Sequence, residues 1–345
     1  MQESELIALI ARIAPEQMEQ LTRRAQALSA ISSMQPVGRR ALAAHVNLPE
    51  REIRTMAAAL REEGLLRLDA AGMQLTEAGQ ALVPAAEELS RTLCGLTELE
   101  RSLCQLTGVR SVTVVAGNAD ADAQVLRTVG RVAAHHLRNM LQNGATLAVT
   151  GGRTMRAVAE GMQSAAPMDV MVVPGRGGMG SSVENQASVI AAEIARRLGG
   201  RYQVMHIPDT LDEAALQEML RLPEVQDAIR WMEQADIVLH GIGRADEMAA
   251  QRRLPASALA AIEAGGAVGE AFGDFFDAQG RNVYQMSTVS AGMLRHNNHS
   301  RLFAVAAGRK KGQAIIAALR HEPHAALVTD EGAARQMLRL LQDAN

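Results

Sequence analysis

Lysine, cysteine and aromatic residues are scarce in this chain of 345 residues. Of its 35 basic residues only Lys310 and Lys311 are lysines, and the others are arginines. A preference for arginine over lysine reflects the base composition of the genome. The lysine pair is then explained either by chance or by a site that kept its ammonium groups. Ammonium and guanidinium bind phosphate differently. The stretch AVAAGRKKGQAI is therefore of interest, with both explanations open.

The two cysteines exclude a disulfide framework. Cys94 and Cys104 match no metal or redox spacing, and free thiols suit a reducing compartment. One Trp, two Tyr and four Phe are too few for a platform that stacks single-stranded bases. No apolar run reaches the ~18 residues of a membrane span, and acidic residues stand where a signal peptide has basic ones. We expect a cytoplasmic protein with no membrane partner.

The first 90 residues have the pattern of a winged helix. Residues 3–30 predict a helix with an interruption near Pro15. Residues 36–46 and 50–66 predict two further helices, joined by the turn NLPE with helix-turn-helix spacing. The stretch LLRLDAAGMQLTEAG then alternates apolar and polar residues around a glycine-bearing turn, as a two-stranded wing does.

Charge leaves two interpretations of this domain open. Residues 1–90 hold 9 arginines against 12 acidic residues, and the net charge of the chain is −3, so neither indicates nucleic-acid binding. Locally, arginines lie where a recognition helix and wing meet DNA phosphates, and the alternative is a solvated charged face. The residues predicted to contact double-stranded DNA are Arg39, Arg40, Arg51, Arg54, Thr55 and Arg67.

The rest of the chain predicts an α/β fold. Residues 90–108 predict one helix with leucine periodicity, which either bridges domains or subunits or packs in a core. From residue 109, short β-rich runs alternate with helical ones, which is typical of a doubly wound, mostly parallel sheet. The eight runs are SVTVVAG, ATLAVTGG, DVMVVPGRGG, YQVMHIP, DIVLHGIG, NVYQMS, LFAVAAG and AALVTDEG. We therefore predict a winged-helix DNA-binding domain over 1–89, a helical linker over 90–108, and an effector and oligomerisation domain over 109–345.

Several predicted strands end in glycine-bearing loops, namely TGGRT, PGRGGMG, HGIGRAD, AAGRKKG and TDEG. Ligands of open α/β sheets bind at the carboxyl ends of the strands, so these loops are expected to line one crevice. In LAVTGGRTMRAVAEGM, a strand, the pair Gly151 and Gly152 and a following helix would expose backbone N–H groups to an anion. The spacing is not that of a P-loop. A sugar phosphate fits this loop, and so does a tight turn without ligand.

Other motifs favour no cofactor, metal or covalent chemistry. GRGGMG has dinucleotide-fingerprint spacing, but no helix follows directly and the next strand ends in His206, Ile207 and Pro208 rather than an acid. His296 and His299 lack a third metal ligand nearby. Glu270 and Asp330 each have three possible roles: the base of an isomerase, a partner of sugar hydroxyls or a helix cap.

Taken in order, PVGRRALA, LTEAG, VTGGRT, AVAE, VPGRGGMG, ENQA, HGIG, EAFG, the lysine loop and LVTDEGAA cover nearly the full length. With these motifs the chain resembles the SorC/DeoR-type bacterial sugar-responsive regulators. That resemblance implies an effector domain similar in fold to sugar-phosphate isomerases and deaminases but used for binding. In the glycolytic branch of the family, it implies a repressor that responds to fructose 1,6-bisphosphate.

The same resemblance implies a site for two phosphates. One phosphate is expected on the TGGRT loop with Lys311, and the other near Arg176. Arg153 stands where the glycolytic branch has a small hydroxyl residue, and Arg309 and Lys310 stand where it has serines, which leaves the identity of the sugar open. The effector-binding residues are predicted to be Thr150, Gly151, Gly152, Arg153, Thr154, Arg176, Gln186, Arg252, Glu270 and Lys311.

The hypothesis from sequence is a homo-oligomeric repressor of glycolytic genes whose binding to operator DNA is modulated by a phosphorylated sugar. Its rival is an enzyme, a sugar-phosphate isomerase or deaminase with an appended winged helix. An enzyme needs a carboxylate or histidine at the carbonyl carbon of the sugar, and the sequence alone does not locate one.

Overall fold

The computed structural model describes residues 10, 12–46, 48–164, 166–178, 182–208, 211–252, 254–290 and 300–343. The chain divides into two compact units, Met1–Glu98 and Leu99–Asn345. The division falls within the segment predicted as a linker.

The first unit has the winged-helix order predicted from the sequence. Its elements are α1 (Pro15–Met34), α2 (Arg39–Val46), α3 (Glu50–Glu62), β1 (Leu66–Asp69), β2 (Gly72–Leu75) and α4 (Glu77–Leu93). Strands β1 and β2 pair antiparallel, with Leu66 opposite Leu75. Ile31, Leu42, Ile53 and Met73 are among the fully buried side chains of this unit, so the helices and the wing share one core.

The predicted helix over 90–108 is wrong in its continuity. Helix α4 ends at Leu93, and α5 (Leu96–Thr107) begins after a break at Cys94 and Gly95. Gly95 has a φ of +68°, a left-handed conformation that ends a helix and that glycine adopts without a steric penalty. The leucines keep a helical spacing across this break in the sequence. The buried ones, Leu96, Leu99 and Leu103, all lie on α5.

The second unit contains a parallel sheet of seven strands. Its strands are β3 (Ser111–Val115), β4 (Thr146–Val149), β5 (Met171–Pro174), β6 (Arg201–Tyr202), β7 (Ile237–Gly241), β12 (Arg301–Val305) and β13 (Ala326–Asp330). They lie in the order β3-β13-β12-β7-β4-β5-β6. All four residues of β4 are buried, so this strand is covered on both faces, as parallel sheets require.

Helices connect these strands, as the alternation in the sequence predicts. They are α6 (Ala123–Met140), α7 (Arg153–Gly161), α8 (Ala187–Leu198), α9 (Glu213–Met219), α10 (Pro223–Glu233), α13 (Gly312–His321) and α14 (Glu331–Gln342). The chain winds outwards from β4 to β6 and then continues in the other direction from β7 to β13. Strands β4 and β7 are neighbours at this switch point, where α/β sheets bind ligands.

A second, antiparallel sheet is inserted between β7 and β12, and the sequence analysis did not predict it. It consists of β8 (Gly243–Arg244), β9 (Ala267–Ala271), β10 (Asp274–Asp277) and β11 (Asn282–Gln285), with α11 (Ala245–Arg252) and α12 (Ala256–Ala264) between β8 and β9. The run NVYQMS, predicted for the main sheet, belongs to this one. Phe275 lies in its core with Leu254, Ile262 and Met286.

Close packing of α6 against α7 depends on a glycine. A Cβ at Gly130 would lie 2.3 Å from the carbonyl oxygen of Ala157. Alanine is the better helix former by roughly 1 kcal/mol, but an overpacked contact costs about 1–3 kcal/mol. We therefore expect Gly130→Ala to lower the free energy of unfolding, measured by urea denaturation. Arg127→Ala, on the exposed face of α6, is the control and should change it little. An unchanged midpoint for Gly130→Ala would contradict this packing.

Candidate functional site

The TGGRT loop joins β4 to α7 at the carboxyl edge of the main sheet. Gly152 has a φ of +112° and precedes the first helical residue, with no side chain capping the helix. A Cβ at Gly151 would come within 2.6 Å of the carbonyl oxygen of Asn185. The buried Thr150 accepts a hydrogen bond of 3.3 Å at its Oγ1 from the N–H of Gly241. The loop thus leaves the N-terminus of α7, with its positive dipole end, without a side-chain acceptor.

The lysine loop after β12 uses its backbone differently. The N–H groups of Gly308, Arg309 and Lys310 donate to Asp330 Oδ1 at 2.9 Å, Asn118 Oδ1 at 3.3 Å and Asp120 Oδ2 at 2.9 Å. These backbone donors are already paired within the protein. What this loop can offer a ligand is its side chains, and of these Lys311 is half-buried whereas Arg309 and Lys310 are exposed.

Lys311 and Arg153 interact electrostatically. We call Lys311 and residues 150–154 together the lysine group. Burial lowers the pKa of the Lys311 ammonium, the charge of Arg153 lowers it further, and carboxylates including Asp120 and Asp330 act in the opposite direction. A lowered lysine pKa means that the charged form is disfavoured in this position. An anion placed between the two cations would favour it.

A second cationic group, which we call the arginine group, consists of Arg176, Arg252 and Glu270. All three are buried, with 5%, 7% and 3% of their surface exposed. Glu270 Oε1 accepts from Arg252 at 2.7 Å, from Arg176 at 3.3 Å and from the N–H of Gly273 at 2.6 Å. Burial by itself would raise the pKa of Glu270, but the charges of Arg252 and Arg176 and these hydrogen bonds outweigh it and hold the pKa below its usual range. Two guanidinium groups face one carboxylate.

The loop that carries Arg176 is fixed on both sides by backbone hydrogen bonds. Gly177 N–H donates to Val289 O at 3.2 Å, and Gly178 N–H donates to Ile207 O at 2.7 Å. A Cβ at Gly178 would lie 2.9 Å from Gln186 Oε1, so the predicted effector residue Gln186 lies against this loop.

The structure places the predicted effector residues in adjoining positions. The N–H of Gly152 donates to the carbonyl of Asn185 at 2.8 Å, which joins the TGGRT loop to the residue before Gln186. Lys311 interacts electrostatically with Arg153, and Glu270 collects Arg176 and Arg252. The sequence analysis missed Asn118 and Asp120, whose signal was the stretch NADAD after a predicted strand, and it missed Asn185, which no such run marks.

Of the three roles left open for Asp330, the structure supports the helix cap. Its buried carboxylate accepts from Ala333 N–H at 3.1 Å at the start of α14, from Gly308 N–H, and from Ala119 N–H at 2.6 Å. One side chain therefore holds two loops and the start of a helix. The carboxylate of Glu270 is likewise committed to two arginines rather than poised as a base.

The remaining motifs differ in how much of them is described. In GRGGMG only residues 175–178 are described, and the next α-helix begins at Ala187, so the direct strand-to-helix turn of a dinucleotide site is not formed there. His296 and His299 lie outside the described residues. Within the described part of the chain no three His, Cys, Asp or Glu side chains cluster as metal ligands.

In the first unit, the six residues predicted to contact DNA are all exposed. Arg39 and Arg40 lie on α2, Arg51, Arg54 and Thr55 on α3, and Arg67 on the first strand of the wing. The opposite face of α3 is buried through Ile53, Ala57 and Leu60. Arg40 Nε lies 3.5 Å from Glu50 Oε2, and Arg67 donates to Gln74, so these two arginines have acidic or amide neighbours.

Comparison with known proteins assigns both units. Residues 91–339 match the Sugar-bind family of sugar-binding domains, and residues 21–90 match the CggR N-terminal DNA binding domain. The chain is 37% identical over 336 residues to the central glycolytic genes regulator of Priestia megaterium, covering 97% of this chain and 98% of the relative. It is 33% identical over 337 residues to that of Bacillus subtilis, covering 97% and 99%.

Solved structures agree. A SorC family transcriptional regulator from Enterococcus faecalis is similar with a TM-score of 0.65 and 35% identity, covering 70% of this chain and 99% of that one. The full-length sorbitol operon regulator SorC from Klebsiella pneumoniae has a TM-score of 0.63 at 20% identity, covers 94% of this chain and 99% of that one, and shows the shared fold. The chain belongs to the SorC family of transcriptional regulators, with a DNA-binding domain and a sugar-binding domain. No described helix is long and apolar enough to cross a membrane.

From the contacts of the arginine group we expect that replacing Glu270 by its amide strongly lowers the free energy of unfolding. Glu270→Gln would remove a carboxylate charge that two buried arginines contact, and breaking a buried ion pair in this way costs about 3–5 kcal/mol of unfolding free energy. Because the folded-state pKa of Glu270 lies below the unfolded value, its contribution is present above about pH 4.3 and is lost as the pH falls through the folded-state pKa. Denaturant titrations at several pH values should therefore show wild type and variant converging in acid.

Glu263→Gln, on an exposed position of α12, is the matched control and should behave as wild type. A constant difference between wild type and Glu270→Gln down to strongly acidic pH would contradict the assignment of Glu270 as the ionised partner of both arginines.

Proposed function

We propose that this chain is a repressor of glycolytic genes that binds operator duplex DNA through its winged helix and senses a phosphorylated sugar, fructose 1,6-bisphosphate, in its effector domain. The observation that carries the proposal is the presence of two cationic groups. One lies on loops at the carboxyl edge of the main sheet, and the other joins Arg176, on the loop after β5, to Arg252 and Glu270 of the inserted segment. The names of the full-length relatives support the choice of glycolytic genes.

Charge favours a ligand with two phosphates. The lysine group offers Lys311, Arg153 and the N-terminus of α7. The arginine group offers the guanidinium groups of Arg176 and Arg252, which Glu270 holds in place. A phosphate ester carries about −1.5 to −2 charges at pH 7, so each group suits one phosphate. A monophosphate would use only one of them.

Three features of the described site favour binding over catalysis. The pKa of Glu270 is lowered by its two arginines, whereas a general base at neutral pH works best with a pKa near 7. The carboxylate of Asp330 accepts hydrogen bonds from backbone N–H groups of two loops and of the first turn of α14. His240 is fully buried beside Glu322. We therefore propose a sensor and not an isomerase or deaminase.

The DNA-binding proposal depends on local charge, since the unit as a whole carries more acidic than basic residues. Arg51, Arg54 and Thr55 lie on the exposed face of the second helix of the helix-turn-helix, where recognition helices meet DNA.

We further propose a homo-oligomer in the cytoplasm, with residues 90–108 connecting the two domains. Ligand and DNA binding would then be linked reciprocally, by roughly 1–3 kcal/mol.

A panel of sugar phosphates tests the ligand. A ligand that binds only the folded protein stabilises it by ~2.7 kcal/mol at a hundredfold excess over its Kd. We expect fructose 1,6-bisphosphate to raise the Tm clearly more than fructose 1-phosphate, fructose 6-phosphate or inorganic phosphate at equal concentration. A response to one monophosphate alone would assign the regulator to another sugar. Turnover of any of these sugars by purified protein would contradict the proposal of a sensor.

A pair of substitutions separates the two activities. Arg54→Ala should weaken binding to a duplex selected by the wild-type protein from a randomised library, and should reduce the salt dependence by about one phosphate contact. It should leave the thermal shift with fructose 1,6-bisphosphate unchanged. Arg24→Ala, an exposed arginine on α1, is the control for charge alone.

Lys311→Met should do the reverse. It should keep DNA affinity and abolish most of the shift with the bisphosphate. It should also raise the Tm of the ligand-free protein, because a lysine with a lowered pKa is destabilising below that pKa. Lys310→Met, its exposed neighbour, is the matched control. Equal ligand responses in these two variants would remove Lys311 from the site.

A further inference from the structure

The hairpin between β9 and β10 has an aromatic residue where turns take asparagine or glycine. Ala271 pairs with Asp274, so Phe272 and Gly273 are the two central residues of the turn. Their φ angles are +58° and +95°, and a positive φ at both positions is the requirement of a type I′ turn. Phe272 is the one non-glycine residue with a positive φ in the described part of the chain. For a bulky side chain that conformation is strained.

The turn itself belongs to the arginine group. The N–H of Gly273 donates to Glu270 Oε1, and a Cβ at Gly273 would lie 3.5 Å from the Arg176 guanidinium. The position of the turn therefore sets where the carboxylate and one of its arginines lie.

The Phe272 ring extends from this turn to the main sheet. Its centroid lies 4.4 Å from that of the His240 ring, with 33° between the two planes. His240 is in β7, and the next residue, Gly241, donates its N–H to Thr150 Oγ1 in the lysine group. On its other side, His240 Nε2 lies 3.4 Å from Glu322 Oε2 at the end of α13. A continuous path of contacts thus runs from Glu270 through Phe272 and His240 to Thr150.

We propose that Phe272 is a positioning residue that holds the arginine group and the lysine group at a set separation. Its ring fixes the hairpin turn against the strand that carries the Thr150 contact, and the strained φ is tolerated for that purpose. A ligand that spans both groups depends on their separation, whereas a monophosphate on either group does not. The inference rests on the proposed two-phosphate ligand and assigns specificity to a residue that touches neither phosphate.

The chain contains a matched pair for comparison. Phe276, on β10, stacks on His321 with a centroid distance of 4.5 Å and 32° between planes, nearly the geometry of Phe272 and His240. Both phenylalanines are buried. Phe276 makes this contact away from the turn, so it reports the cost of losing an aromatic-histidine stack without the link between the groups.

The test is the ratio of affinities, measured by isothermal titration calorimetry for fructose 1,6-bisphosphate, fructose 1-phosphate and fructose 6-phosphate. Phe272→Asn removes the ring and gives the turn the sequence Asn-Gly, which favours the type I′ conformation. Phe272→Leu keeps apolar volume. In both we expect the bisphosphate Kd to rise about tenfold, a usual size for coupling between contacting residues, and the monophosphate Kd values to change less than about twofold. Phe276→Leu should lower the Tm and leave the ratio unchanged.

The two proposals fail in different ways. A wild-type protein that binds all three sugars equally, or none of them, would overturn the two-phosphate ligand and this inference with it. A wild-type preference for the bisphosphate that both Phe272 variants retain would overturn the inference alone. A ratio reduced as much by Phe276→Leu as by Phe272→Leu would assign the effect to general stability, and would also overturn it.

Discussion

The buried contact between Glu270 and two arginines is the constraint around which the effector domain is arranged. Removing three charges from water costs several kcal/mol per ion, and their attraction only partly recovers it. Replacing a buried ion pair by apolar side chains of similar volume is often neutral or stabilising, so stability alone is a weak reason for keeping the group. Under the proposed function its two guanidinium groups serve to recognise an anion.

A second buried carboxylate, that of Asp330, fixes the backbone of the loops around the lysine group. It binds backbone N–H groups of the loops after β3 and β12 and caps the helix after β13. Together with Asn118 and Asp120 it satisfies the donors of the lysine loop, so that loop is rigid and offers side chains alone. The TGGRT loop differs from the lysine loop, because α7 begins without a side-chain cap. The positive end of the dipole of α7 therefore has no side-chain acceptor. Under the proposed function, one phosphate would be bound by this helix N-terminus and by the ammonium of Lys311.

Much of this organisation is predictable from the sequence, and what is not predictable depends on contacts between distant segments. The wing forms, and the predicted β-rich runs supply all seven strands of the main sheet and also β11, because alternation and turn residues act locally. The break at Gly95 is hidden because the leucines on either side of it keep a helical spacing. The antiparallel sheet is missed because its strands are short and β8 is separated from β9 by two helices.

Predictions for the site divide in the same way. Glycine-bearing loops after strands indicate the crevice, since parallel strands end at one edge. Whether Glu270 is a base, a sugar ligand or an ion-pair partner is decided by Arg176, 94 residues earlier in the chain, and no local pattern contains that information. The same holds for Phe272, whose positive φ and contact with His240 appear only once the hairpin is formed.

A sensor with two anion-binding groups on one scaffold also explains why affinity and specificity need different residues. In the proposed sensor each group would bind a phosphate by charge, and charge alone accepts any phosphate ester. Discrimination of a bisphosphate would then come from the separation between the groups, which is a property of the packing that joins them. Such packing can be altered without touching either phosphate. Because a ligand shifts an equilibrium only by its difference in affinity for the two states, any rearrangement that changes this separation would couple the ligand to the DNA-binding state.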